Sequence, residues 1–307
     1  MASKFDGMIN PDVATRVTDL ARSYQNAEPF RHIVIDDFLN EQFAGALLSQ
    51  FPAFERGNNL GDDGAPGKKS TFEQISRLGG AYQALDRLIQ QKEFLELVGG
   101  ITGIDGLLYD PFYLGGGTHE NRSGQSLHPH VDFNRHPSEG WHRRLNLIVY
   151  LNPGWNEDWG GDLELYRDPY QDPQPIVKIS PLFNRCVIFG TTEESWHAFN
   201  QISIPAELAN LTRKSIALYF YSTDRPAEEV AGKHTTHYVN RQIPDHIIAG
   251  HTLAPNDIEL LRGIVADRDN LLRRLYTENS ELRQAQDRGL SGKLIYLLKR
   301  YYVRFRK

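Results

Sequence analysis

His130 and Asp132 stand two residues apart, and His197 follows about 65 residues later. Residues two apart on a β-strand project from one face and can reach a single metal ion together. A third neutral ligand must come from a distant strand folded over the first, and His197 is placed to supply it. Two imidazoles and one carboxylate make the facial set that leaves coordination positions open on non-haem Fe(II). Open positions of that kind admit a chelating keto acid and dioxygen. With 2-oxoglutarate as co-substrate, the reducing equivalents arrive with the molecule itself and no nicotinamide or flavin site is needed. Its far carboxylate would be buried among apolar strands, where an unpaired charge is costly. Arg213, which opens the run Arg-Lys-Ser-Ile-Ala-Leu-Tyr-Phe-Tyr, is expected to fork onto both oxygens, and Ser215 on the same strand face adds a hydrogen bond.

A bare His-x-Asp is a weak signal, whereas the ordered set His130, Asp132, His197, Arg213 is a strong one, because strand-like segments separate its members in the right order. Asn146 is a polar residue inside an otherwise apolar strand, so it is expected to touch the co-substrate or the substrate. His128, His136 and His142 make the region histidine-rich, but only His130 has a carboxylate two residues on. Gly115-Gly116-Gly117 lacks the Lys-Ser/Thr of a phosphate-binding loop and reads as a flexible turn. Arg143 and Arg144 flank the first core strand. They read as a solvated or salt-bridged pair, the alternative being that one of them points into the pocket toward an acidic substrate.

The stretch from Tyr113 to Arg225 resembles the prolyl-hydroxylase-like branch of the Fe(II)/2-oxoglutarate dioxygenases. The likeness runs through His130-Val131-Asp132, then Leu147-Ile148-Val149-Tyr150-Leu151-Asn152, Trp155, and the strand start Gly160-Gly161-Asp162-Leu163-Glu164-Leu165. The resemblance implies that Tyr150 shares the C5 carboxylate of 2-oxoglutarate with Arg213 and that Tyr113 faces the pocket. It also implies a double-stranded β-helix, and hydroxylation of an unactivated C–H bond with release of succinate and CO2. Asp132 argues against halogenation, since related halogenases replace that carboxylate with a small residue. The segment Gly115 to Leu127 is longer than the family's tight turn, which bears on substrate recognition. A prolyl or similar residue in a peptide or protein is the substrate the resemblance implies. Two competing readings are a hydroxylase of a small or membrane-linked metabolite, and a non-catalytic jelly-roll scaffold assembled by its C-terminal helix.

The positioning elements follow from periodicity. Residues 12–26 carry helical apolar spacing, 31–38 read as a strand, and a helix capped by Asn40 runs to Phe51. Residues 53–70 are glycine-rich and charged and read as a mobile loop that could close over the site, while 71–99 return to helical periodicity. From Gly106 short strands alternate with turn residues. The fold class is therefore mainly β with flanking helices: a double-stranded β-helix (jelly roll, cupin-like) plus a C-terminal helical extension. The helices would pack on one sheet and brace it. The division is residues 1–245 for the dioxygenase domain with its N-terminal bracing helices and 246–307 for the extension.

With 307 residues, 40% of them hydrophobic, the chain can bury a substantial core. Cys186 is the single cysteine and lies in an apolar run, so no intrachain disulfide is available and a reducing cytoplasm fits best. No secretory leader is seen at the N-terminus, and no apolar run approaches the length of a membrane span. Leu261, Val265, Arg268, Leu272, Leu275, Asn279 and Leu282 follow steps of four and three, a heptad seam with polar entries. Packing on the catalytic domain and a homodimer through 258–283 are the two readings of that seam. Beyond Ser291-Gly292, residues 293–307 hold six basic and no acidic residues among aromatic and aliphatic ones, which reads as an interfacial amphipathic helix. Taking those six from 34 basic residues leaves 28 against 39 acidic, so positive charge is concentrated in the tail rather than general, and nucleic-acid binding is disfavoured. Peripheral contact with an anionic membrane, an acidic partner, or folding back on the acidic body are the readings of that tail.

Overall fold

The computed structural model describes residues 4–60, 66–239, 243, 244 and 246–288. The chain divides into two compact units, Met1–Val239 and Asn240–Lys307.

In the first unit the helices come early, as α1 (Pro11–Thr15), α2 (Val17–Gln25), α3 (Glu41–Ser49), α4 (Gly80–Gln90) and α5 (Lys92–Thr102). Asn40 caps α3 by accepting from the amides of Gln42 and Phe43, as its side chain predicts. Residues 71–99, expected to be helical throughout, instead begin in a strand and then form α4 and α5, with Gln91 in extended backbone between the two helices.

The strands form two antiparallel sheets. The larger has the order β1 (His32–Ile35), β10 (Cys186–Gly190), β7 (His142–Tyr150), β12 (Arg213–Ser222), β5 (Gly117–Asn121), β3 (Pro66–Phe72), β2 (Asn58–Leu60), with β4 (Leu108–Tyr109) also on β12. The smaller has the order β13 (His237–Tyr238), β6 (Leu127–Val131), β11 (Trp196–Phe199), β8 (Leu163–Tyr166), β9 (Val177–Ile179). This is the double-stranded β-helix expected from the sequence.

The period of two divides each central strand between two environments. On β7, Leu145, Leu147 and Val149 join the helices in the main core, while Asn146, Ile148 and Tyr150 face the interior between the sheets. On β12, Ile216, Leu218 and Phe220 go to the helices, and Arg213, Ser215, Ala217 and Tyr219 go inward. The helical layer thus seals one face of the larger sheet and leaves the opposite face to line a cavity.

Residues 53–70, read as a glycine-rich loop, contain the strand β2 and most of β3. Their pairing partner explains the difference. β5 would otherwise present an unpaired backbone edge, and β3 covers it with Lys69 opposite Asn121 and Thr71 opposite His119.

The second unit contains α6 (Pro255–Arg288). Its first turn is closed by Asp257, which accepts from the amide of Ala254 and from Nε2 of His246 and His251 at 2.8–2.9 Å. Along α6, Val265, Leu272 and Leu275 are about half exposed. The side chains of Asn279 and Leu282 and the tail 293–307 lie outside the described residues. Among the described residues no helix is long and apolar enough to cross a membrane.

Candidate metal centre

β6 and β11 are neighbours in the smaller sheet, and their register sets His130 directly opposite His197. The third ligand candidate therefore comes from a strand paired beside the first, where the sequence reading had one folded over it. The two imidazole rings lie 4.2 Å apart between centroids. Asp132, just past the end of β6, has Oδ1 3.8 Å from Nε2 of His130 and Oδ2 3.5 Å from Nε2 of His197. One donor atom from each residue falls within a common span of 4.8 Å.

Backbone carbonyls fix the tautomer of both rings. Nδ1 of His130 donates to the carbonyl of His128 at 2.8 Å, and Nδ1 of His197 donates to that of Ser195 at 2.9 Å. Each Nε2 consequently carries a lone pair aimed at Asp132, the arrangement expected of metal-ligating histidines. Burial lowers both histidines, and His130, further depressed by His197, falls to about 3. Burial pushes the Asp132 carboxyl up, but Arg143, His197, His130 and Asn146 outweigh it and hold the group well below the usual carboxylate range. Near neutral pH the centre is two neutral imidazoles and one carboxylate, the protonation state that a divalent ion requires.

The support for Asp132 is a second finding. Asn146 donates to its Oδ2 at 2.7 Å, and Arg143 pairs with the same oxygen at 3.1 Å. Arg143 also donates to Oδ1 of Asn146 through Nε and Nη2, and its guanidinium lies between the rings of Phe133 and Tyr219 at 4.3 and 3.6 Å. Oδ2 is thereby committed to the protein, which leaves Oδ1 to face an ion. Arg143 is salt-bridged, as the sequence reading allowed, and its partner is Asp132 in the cavity wall. Asn146 lines the cavity, as expected, but its amide is spent on Asp132 and Arg143.

The opposite end of the same cavity, of about 290 Å³, holds Arg213, Ser215 and Tyr150. Ser215 and Tyr150 are register partners on β12 and β7. Arg213 is buried, with Nε donating to the carbonyl of Gly161 at 2.7 Å and Nη2 reaching the Tyr150 hydroxyl at 3.4 Å. Its guanidinium packs over Phe199 at 4.6 Å. The Gly160-Gly161 pair makes this approach possible. Both residues have positive φ, and a Cβ on Gly161 would stand 3.0 Å from Cδ of Arg213. Between the two polar ends the wall is apolar, with Ile148, Leu163, Ala198 and Ala217. The cavity suits a short molecule with a chelating group at one end and a carboxylate at the other.

Tyr113 is not at this cavity. It is buried in the main core, its hydroxyl donates to Asp86 at 2.6 Å, and burial together with that bond raises its pKa. The cause is local: Tyr113 sits in left-handed backbone ahead of a turn closed by Gly116, which directs the ring toward α4. In its place the cavity receives His119 and Asn121 of β5, and Thr236 and Tyr238 from the chain that returns as β13. The Tyr238 ring stacks on His130 at 5.0 Å. None of these four was singled out from sequence. The alternation of His119 and Asn121 was a usable signal, whereas the two-residue strand β13 carries none.

Residues 116–221 match the family model described as the 2OG-Fe(II) oxygenase superfamily. The chain is 37% identical over 95 residues to a prolyl 3-hydroxylase, OGFOD1, of Mus musculus, covering 30% of this chain and 17% of that protein. It is 34% identical over 95 residues to the Xenopus laevis counterpart, covering 30% and 18%. The match thus spans less than a fifth of these curated relatives. Among solved structures, a Trichoplax adhaerens prolyl hydroxylase in complex with a hypoxia inducible factor oxygen degradation domain peptide fragment is similar with a TM-score of 0.48 and 18% identity, over 69% of this chain and 91% of that one. A prolyl 4-hydroxylase from Phytophthora capsici gives 0.47 and 19%, over 89% and 76%.

Proposed function

We propose that this chain, whose residues 116–221 belong to the 2OG-Fe(II) oxygenase superfamily, hydroxylates an unactivated C–H bond of a prolyl residue in a peptide or protein. The oxygenase class brings Fe(II), 2-oxoglutarate and dioxygen with it. The observation that carries the reading is the convergence of His130, Asp132 and His197 on one point across a narrow cavity from Arg213. The prolyl substrate is supported by the 95-residue likeness to prolyl 3-hydroxylases.

In this reading His130, Asp132 and His197 would hold Fe(II), and Arg213, Tyr150 and Ser215 would receive the far carboxylate of 2-oxoglutarate. Bound there, the iron and co-substrate would direct one atom of dioxygen into the substrate C–H bond and the other into succinate, with loss of CO2. The residues of the chain do the rest. Arg143 and Asn146 keep Asp132 ionised and oriented, the carbonyls of His128 and Ser195 hold the imidazole lone pairs inward, and Ile148, Leu163 and Ala217 give the wall between the two ends an apolar lining. Thr236 and Tyr238 line the same cavity, the Tyr238 ring lying against His130.

The domain reading that accompanies this is a catalytic domain over 1–245 and a helical extension over 246–307. The half-exposed Val265, Leu272 and Leu275 on α6 support a homodimer through 258–283; a single-chain mass in sedimentation at micromolar concentration would exclude it. A reducing cytoplasmic setting is supported by the single, buried Cys186. The basic composition of 293–307 favours a second reading, in which the substrate is a membrane-linked metabolite, and deletion of that segment without effect on vesicle binding would remove it.

The test is succinate formation by the anaerobically iron-loaded protein given 2-oxoglutarate, air and proline-containing peptides. The wild type is expected to turn over and to add one oxygen mass to a peptide, and His130→Ala and Arg213→Ala to do neither. Iron bound without succinate under any substrate would defeat the assignment.

A further inference from the structure

The cavity contains one ionisable group for which the ligand sets above have no use. His119 lies on β5 in a row that crosses four strands, with Thr71 of β3 on one side, Ser215 of β12 on the other, and Tyr150 of β7 beyond Ser215. Side chains at such register positions stand about 5 Å apart on one face of a sheet. His119 is thus the neighbour of the residues assigned to the co-substrate carboxylate. Its Nε2 is buried and has no hydrogen-bond partner. The backbone carbonyls of Gly115 and Gly116 favour the protonated ring, and with Nε2 unpartnered they can act only through Nδ1. A buried imidazole nitrogen left unpaired at a cavity wall costs free energy unless a ligand completes it.

The charges around it say what that ligand does. Arg213 on β12 is cationic, and Asp162, ahead of β8, places a buried carboxylate near it with one oxygen unpartnered. These two offset each other. Tyr150 on β7 is kept neutral, its pKa raised by burial. Lys69 on β3 is a second cation at this wall; it is exposed, yet its charge acts on His119 ahead of that of Arg213. A carboxylate entering between Arg213, Tyr150 and Ser215 therefore adds a negative charge that the buried groups do not balance. Before it enters, burial first and then the charges of Lys69 and Arg213 hold His119 down at about 3, so the ring is neutral. The arriving charge opposes the electrostatic part of that balance, and Nε2 of His119 and the unpartnered oxygen of Asp162 are the sites nearby able to gain a proton.

We propose that His119 belongs to the carboxylate-binding set and takes up a proton from solvent when 2-oxoglutarate binds, its new Nε2–H donating to the remote carboxylate. The ring returns the proton when the co-product leaves. The co-substrate would then be recognised by two cations, one permanent at Arg213 and one acquired at His119. This rests on reading the cavity as the 2-oxoglutarate site.

The experiment is calorimetric titration of 2-oxoglutarate into the anaerobic Fe(II)-loaded full chain at pH 7.5, in Pipes and in Tris, whose ionisation enthalpies differ widely. Wild type is expected to take up a large fraction of one proton per bound co-substrate, with an affinity that falls toward tenfold per pH unit at alkaline pH. His119→Gln, which keeps a polar side chain of similar reach, is expected to bind without uptake and with a nearly flat pH profile. Ring 15N shifts of His119 in the Zn(II)-loaded wild type give a readout that does not depend on the variant, moving from a neutral tautomer to imidazolium as 2-oxoglutarate is added. Binding with no proton uptake, equal uptake in His119→Gln, or an unchanged 15N spectrum would overturn the role of His119. No binding of 2-oxoglutarate to wild type at all would instead overturn the co-substrate reading.

Discussion

Arg143→Leu should weaken the protein without its metal far more than the protein with it. Arg143 is 1% exposed, and its Nη2 stands 3.1 Å from Oδ2 of Asp132. At an effective dielectric of about 20 the attraction across that distance is about 5 kcal/mol, and breaking a buried pair by removing one partner costs about 3–5 kcal/mol. Leucine restores part of the packing between Phe133 and Tyr219, so the loss is chiefly electrostatic. In a domain of this size the apo midpoint should fall by about 10 °C. A divalent ion bound at Asp132, His130 and His197 supplies the missing countercharge, so the deficit should shrink when metal is present. Without Arg143, burial also raises the Asp132 carboxyl with less to oppose it, and the variant should release a proton on binding metal near neutral pH. Differential scanning calorimetry with and without Mn(II), repeated at pH 6 and pH 8, measures all of this. If metal raises the midpoint of the variant no more than that of wild type, Arg143 is not the stand-in for an ion's charge and the electrostatic account of the centre is wrong.

Gly161→Ala places a methyl 3.0 Å from Cδ of Arg213 in backbone of φ +74°, so it should displace the guanidinium and weaken 2-oxoglutarate about tenfold while leaving metal affinity intact. Calorimetry with each ligand separates the two, and loss of metal binding alone would contradict the division of the cavity into two ends. The histidines predict acid sensitivity of the metal-free protein: His130 titrates at about 3 when folded, against 6.5 in the unfolded chain, and His197 is shifted the same way. Below 6.5 the unfolded chain binds protons that the native centre refuses, so stability is lost as pH falls from 6.5 toward 3, by up to about 1.4 kcal/mol per unit for each ring. Urea unfolding of wild type and His197→Gln between pH 7 and 5 checks this, and identical slopes would refute it.

The placing of the candidate metal set and of Arg213 was legible because their spacing coincides with strand periodicity: a two-residue step for His130 and Asp132, and another for Arg213 and Ser215. The helical layer was legible for the same reason in α1 to α3, where apolar spacing and the Asn40 cap agree. Segments stabilised by pairing were not. The run from Gly115 to Leu127 has turn composition, yet Gly117–Asn121 is a strand because β12 and β3 hold it from both sides. The hairpin of β2 and β3 and the strand β13 owe their conformation to the edges they cover, information that resides in the partner strand. His119, Thr236 and Tyr238 were missed together on that account. Tyr113, assigned to the pocket by resemblance, lies in the main core because left-handed backbone at that residue turns its ring toward α4.

Arg143 shows what a sequence reading of charge leaves out. Two adjacent arginines at the start of an apolar strand read as a solvated or salt-bridged pair, and each does form an ion pair, but in buried surroundings. Here Arg143 goes inward with Asp132, Asn146 and two aromatic rings to receive it, while Arg144 reaches Glu229 at 3.5 Å. The burial is tolerable because the centre needs a carboxylate that stays ionised away from water before any ion arrives. A preformed anion with a preformed cation behind it costs less than an unpaired carboxylate, and it holds the donor atoms apart until metal binds. The same logic operates at the other end, where Asp162 stands near Arg213 and His119 remains neutral. Asp132 with Arg143 at one end, and Asp162 with Arg213 at the other, leave each end nearly balanced in charge, so in the proposed scheme the charge of an incoming carboxylate would be met by a proton at His119.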